Sequence, residues 1–156
     1  MTATDADYQT LLRLRTGLRR FVRWSERQAE AAGLTPAQHQ LLLAIRGHPD
    51  PAGPTIGDVA GYLLLRHHSA VGLVDRAERA GLVARRKDRS NHSVVRLRLT
   101  PQGSAQLEAL SELHLEELAH LAPAMHALWN ALEQAGPREA TEERHPAALP
   151  SSSWRA

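Results

Sequence analysis

The chain has no cysteine in its 156 residues, which excludes disulfides, thiolate metal sites and thiol-based redox sensing. Aromatic residues make up only 4%, so leucine, valine and alanine must do most of the packing, and that composition favours helices. No apolar run approaches the roughly 20 residues of a membrane-spanning helix. The N-terminal stretch through Arg15 lacks the basic-then-apolar order of a secretory signal. A soluble cytoplasmic protein is expected. No glycine-rich phosphate loop, Ser-His-Asp set or carboxylate pair stands out, so neither an enzyme nor a cofactor is expected.

What is present is ordinary in amount and unusual in arrangement. Apolar content of 42% and charged content of 23% suit one globular domain with a real core. Nine basic residues lie between Arg66 and Arg98 (Arg66, Arg76, Arg79, Arg85, Arg86, Lys87, Arg89, Arg96, Arg98) against the acids Asp75, Glu78 and Asp88. From Thr100 to Gln134 there is no Lys or Arg, while Glu108, Glu112, Glu116, Glu117 and Glu133 are present. Segregation of this kind points to a polyanion-binding segment beside a segment with another task.

Periodicity supplies the elements. Tyr8 to Ala32 reads as one helix, stopped by Gly33. Thr35, Pro36 and Gln38 open a second around the apolar run Leu41 to Ile45. Gly47 to Pro54 is a loop. Thr55, with Asp58 three residues on, caps a short third helix, Thr55–Leu64. A fourth, His68–Ala80, buries Ala70, Val74 and Ala77, with Leu73 alongside. Leu82–Arg86 is then a strand, and Val95, Leu97 and Leu99 alternate with outward Arg96 and Arg98 in a second. Lys87 to His92 forms the polar tip between them. Thr100-Pro101 starts a long helix to about Leu121, Pro123 ends or kinks it, and Ala124 to Ala135 forms a last short one. Residues 136–156 read as a disordered tail. The fold class is mainly α with a small two- or three-stranded β wing, a winged helix-turn-helix. In such a motif the second helix of the pair enters a major groove and the basic hairpin reaches the adjacent backbone or minor groove.

Several stretches carry a family likeness. Leu34-Thr35-Pro36-Ala37-Gln38, the run from Val71 to Arg76, Ala80-Gly81-Leu82-Val83, the wing with Asp88, and Leu99-Thr100-Pro101-Gln102-Gly103 resemble the MarR family of bacterial regulators over roughly Leu34 to Leu121. The resemblance implies a homodimer built by the first and last helices, bound to a palindromic promoter site and usually repressing. It divides the chain into an N-terminal dimerisation helix (1–33), a winged helix-turn-helix (34–99), C-terminal dimerisation helices (100–135) and the tail (136–156). Leu11, Leu14, Leu107, Leu110, Leu118, Leu121, Leu128 and Leu132 are the expected dimerisation residues, since the leucines after Thr100 outnumber what a small lobe can cover.

Expected DNA contacts are Arg66, His67, His68 and Ser69 at the start of the fourth helix, with Arg76 further along. In the wing, Arg89 is the minor-groove residue and Arg86, Lys87, Arg96 and Arg98 meet phosphates. Relatives often place an Asp-Arg pair near the tip. Here Asn91-His92 stands in its place, so a neutral His92 weakens binding and makes it pH-dependent, while Asp88 pairs with Arg85 or Arg86. Gly72 stands where relatives carry a polar or basic residue; it either allows close approach to the duplex or weakens the helix. The resemblance further implies a small aromatic or anionic effector, for which Trp24, Arg20, Arg23 and His39 supply an aromatic and basic lining. Adjacent His67 and His68 point about 100° apart on a helix and clamp a metal poorly. The six-residue spacing of His114, His120 and His126 shares no helix face, so no metal site is expected. A protein-binding winged helix is the alternative, against which the basic wing argues.

Overall fold

Side-chain caps decide where the first three helices begin. A computed structural model describes residues 3–134. Helix α1 (Asp5–Ala31) starts earlier than Tyr8 because Thr4 and Asp7 cap each other. The Asp7 N–H donates to the Thr4 hydroxyl at 3.3 Å, and the Thr4 N–H donates to the Asp7 carboxylate at 2.9 Å. Reciprocal bonds of the same kind join Thr35 to Gln38 before α2 (Pro36–Arg46) and Thr55 to Asp58 before α3 (Ile56–Tyr62). Each satisfies two backbone donors that a helix start leaves free.

Helix α4 (His67–Arg79) follows, then strands β1 (Val83–Lys87) and β2 (Val95–Leu99) and helix α5 (Pro101–Gln134). The strands form a two-stranded antiparallel sheet running from Val83 opposite Leu99 to Lys87 opposite Val95. Pro123 does not end the helix, and no separate last helix begins at Ala124, since α5 runs through both as one helix. Proline removes a single intrahelical bond, and long helical stretches on both sides carry the chain across. The tail beyond 134 lies outside the described residues.

The described residues divide into two compact units, residues 20–116 forming one and residues 3–19 with 117–134 the other. The core of the 20–116 unit comprises Leu34, Leu41, Leu42, Ile45, Val59, Leu73, Val74, Leu82, Val83 and Leu97, with Leu107 and Leu110 from α5. As expected, α4 buries Ala70, Leu73, Val74 and Ala77, the face its i, i+3, i+4, i+7 spacing selects.

Two close approaches hold the wing in this lobe. At its base, the Thr100 N–H donates to the Leu82 carbonyl at 3.0 Å and the Thr100 hydroxyl to the Gly81 carbonyl at 2.6 Å. The Gly103 N–H donates back to the Thr100 hydroxyl at 3.0 Å, and a Cβ on Gly103 would lie 2.2 Å from the Leu82 carbonyl oxygen. That explains Thr100 and Gly103 as a pair. Along β2, the Leu97 N–H donates to the Pro54 carbonyl at 2.8 Å. Gly53 has φ +87°, and a Cβ there would sit 2.3 Å from the Leu97 carbonyl oxygen. The α2–α3 loop thus seats directly on the second strand.

Candidate nucleic-acid interface

The acids of the basic segment are all engaged. Half-buried Arg85 bonds Asp75 at 2.6 Å and also pairs with Glu78. Arg96 takes Asp88 through Nε at 2.9 Å. One expectation is corrected here: Asp88 pairs with Arg96 rather than with Arg85 or Arg86. The alternation that turns Arg98 to solvent places Arg96 beside the α2–α3 loop, where its Nη1 donates to the Gly53 carbonyl at 3.1 Å and lies 3.5 Å from Asp50. Among the described residues no ion pair involves Arg66, Arg76, Arg79, Arg86, Lys87, Arg89 or Arg98.

Four of these unpaired cations converge. Arg86, Lys87, Arg89 and Arg98 line a cleft of 680 Å³ together with Asp88, Ser90, Arg96, Pro51 and Ala52. The tip is shaped by Asp88, whose Oδ1 accepts from the Ser90 N–H at 2.8 Å, the Ser90 hydroxyl at 2.7 Å and the Asn91 N–H at 3.0 Å. Those bonds, ahead of Arg96, hold the Asp88 carboxyl far below the ordinary aspartate range. His92 is exposed at the tip.

At the start of α4, Arg66, His67 and His68 are exposed and Ser69 is half-buried. No side chain caps this helix, and the N–H groups of Ser69 and Ala70 donate to the Arg66 carbonyl at 3.0 and 3.1 Å. The turn leading into it contains Leu64, 91% exposed and at φ +53°, a conformation that costs energy for a residue with a Cβ. Arg76 is exposed further along. Gly72 has no packing need of its own: a Cβ there would meet only the far end of the Arg76 side chain, at 3.4 Å.

The leucines expected at a dimer interface separate into two groups. Leu107 and Leu110 are 2% exposed in the chain's own core, because the first turns of α5 close the winged lobe; neither is available to a second chain. Leu11 and Leu118 are about half exposed, at 48% and 46%, and Leu14, Leu121 and Leu128 are partly covered. The side chain of Leu132 lies outside the described residues.

The effector residues also separate. Trp24 and His39 meet around His114 on α5, with ring centroids 4.9 and 4.8 Å from it. Phe21 stacks on Trp24 at 6.0 Å, and the Ser25 hydroxyl lies 2.7 Å from His114 Nε2. Arg20 and Arg23 are exposed on α1. Burial, and then the neighbouring His114, lower the pKa of His39. Sequence reasoning missed His114 as a partner of these residues, since it lies 89 residues from Ser25 and no periodicity links them. His114 and His126 each bond a carbonyl four residues back on α5, and the described residues contain no metal-holding group of His and acidic side chains.

Two short helices, an uncapped exposed helix start and a cationic hairpin seated on the same lobe define a winged helix-turn-helix protein. Residues 32–92, the stretch from α2 to the tip of the wing, match the MarR family model. A solved MarR family transcription regulator superposes with a TM-score of 0.68 at 25% identity, over 84% of this chain and 90% of its own. The MepR–DNA complex of S. aureus gives a TM-score of 0.61 at 18% identity, over 85% and 96%, a likeness of fold. In sequence, the transcriptional activatory protein BadR of Rhodopseudomonas palustris is 33% identical over 86 residues, 55% of this chain. The chain spans about half the length of that curated relative, 49%.

Proposed function

We propose that this protein is a homodimeric, sequence-specific DNA-binding transcriptional regulator of the cytoplasm. The observation that carries the reading is charge: Arg85 and Arg96 engage every acid between Arg66 and Arg98, leaving seven cations around α4 and the wing without an ion pair. A surface that needed only solubility would not concentrate unpaired charge of one sign there. Arg66, His67, His68, Ser69 and Arg76 read the major groove, Arg89 and His92 meet the adjacent groove, and Arg86, Lys87 and Arg98 hold phosphates. Residues 1–33 and 100–135 form the dimer, with Leu11 and Leu118 among the contacts, and 34–99 bind the operator.

The regulator acts as a repressor released by a small aromatic or anionic effector bound near Trp24 and His39. The resemblance to the family supports this finer statement. BadR is named an activator, so a promoter-reporter measurement with and without the protein reads the sign.

The decisive test is titration against duplex from the chain's own promoter region at two salt concentrations, with random duplex as control. Preferential binding that weakens steeply with salt is the expected result. Weak binding indistinguishable from random duplex at both salts would sink the proposal and favour a winged helix that binds protein.

A further inference from the structure

The wing is tied to the α2–α3 loop by one side chain. Arg96 reaches three acceptors at once: Asp88 in the wing, and Gly53 O and Asp50 in the loop. Asp88 in turn gathers the amides of Ser90 and Asn91. The tip is therefore shaped by Asp88, and that shaped tip is seated on the loop by Arg96.

We propose that Arg96 is a positioning residue for DNA binding, a clasp that presets the wing, and not itself a phosphate contact. The inference rests on the proposed DNA-binding function. Two arguments carry it. First, Arg96 with Asp50 and Asp88 sums to a local charge of about −1, which repels a phosphate. Second, the cleft that gathers Arg86, Lys87, Arg89 and Arg98 is lined also by Pro51 and Ala52 of the loop. The clasp joins wing and loop, so it fixes where the four free cations stand relative to the loop. A preset arrangement avoids the ordering cost that a loose hairpin would meet on binding.

The experiment compares the unmodified protein with Arg96→Gln, Arg98→Gln and Asp50→Asn. Affinity for the chain's own promoter duplex is measured over a salt series, with circular dichroism to confirm folding. Arg98→Gln, which removes one phosphate contact from each protomer of the dimer, should lower the slope of log K against log salt by about 1.8, about 0.9 per contact. Arg96→Gln should weaken binding roughly tenfold while leaving that slope unchanged. Asp50→Asn also removes a charge that repels phosphate, so it is read by amide exchange at Ser90, Asn91 and Leu97, where faster exchange is expected, and it decides the matter if Arg96→Gln fails to fold. A slope reduced as in Arg98→Gln, an affinity that Arg96→Gln leaves unchanged, or unchanged exchange in Asp50→Asn would overturn the clasp. If the unmodified protein binds no duplex, the proposed function fails instead. Amide exchange in the free protein then reads the clasp by itself: faster exchange at Ser90, Asn91 and Leu97 in the variant supports it, and unchanged rates refute it.

Discussion

The wing and the imidazole cluster are both built from three segments of the same lobe, yet they are held by opposite means. In the wing, charges at half-buried positions are matched by neighbours, as Arg96 is by Asp88 and Asp50 and Arg85 by Asp75 and Glu78. In the cluster, Trp24, His39 and His114 stack as rings, and burial disfavours charge on His39. Salt acts on the pairs of the first region, whereas acid reaches the imidazole of the second at a higher pH than it reaches the carboxylates of the first. The contrast follows from physics, since partly exposed pairs are screened by ions while a buried imidazole resists its proton.

The largest break should come from Gly53→Ala, which places a Cβ 2.3 Å from the Leu97 carbonyl oxygen at φ +87°. A loss of about 2–3 kcal/mol is expected from overpacking and backbone strain together, read by urea denaturation. The ring cluster should survive, so the indole N–H resonance of Trp24 in the folded state should keep its native position. A variant as stable as the parent would show that the loop is not seated on β2.

Acid probes the other side. Because the pKa of His39 is lowered in the folded chain, the unfolded chain takes up the proton first. Stability is therefore full above the ordinary histidine value of about 6.5 and declines as pH falls below it toward the lowered value. Denaturation midpoints between pH 8 and pH 5 should fall on acidification, and less steeply in His39→Gln. Equal slopes in the two proteins would show that the cluster does not govern the acid response.

Gly72→Ala should stabilise α4 by about 1 kcal/mol, the ordinary helix-interior difference, because its Cβ meets only the end of Arg76. If thermal stability rises while duplex affinity drops, the glycine serves close approach to DNA; if both rise, it is a weakness in the helix. The smallest effect should be that of salt on the free protein: partly exposed pairs such as Arg96–Asp50 contribute at most about 1 kcal/mol, so Asp50→Asn should cost less than that. A larger loss would mean that this pair does more than seat the wing.

The fold was largely legible because its signals are local. Thr35-Pro36-Gln38 and Thr55-Asp58 announce helices α2 and α3 within four residues, and the buried face of α4 lies in its own spacing. Gly103 and Thr100 were visible as a motif, though only the coordinates show that Leu82 makes them necessary. The pairing of Arg96 was missed for a definite reason: alternation assigns a side chain to a face, but it cannot say that a loop 43 residues upstream occupies part of that face. The same limit hid the core positions of Leu107 and Leu110, where a leucine-rich helix turns one stretch into the lobe. The gathering of Trp24 and His39 around His114 was beyond sequence reading because three distant segments meet there.

The reciprocal caps have a consequence for the order in which the lobe assembles during synthesis. Helices α1, α2 and α3 each carry their starting signal within four residues, so each can begin to form as soon as its own turn of chain is free. The wing is different, because β2 finds its seat only when it returns to a loop made 43 residues earlier, and contacts of such separation form late. A growing chain therefore acquires α1, α2 and α3 in sequence and its hairpin after them. Until Leu97 has been made, the underside of the 50–54 loop waits with the Pro54 carbonyl unclaimed.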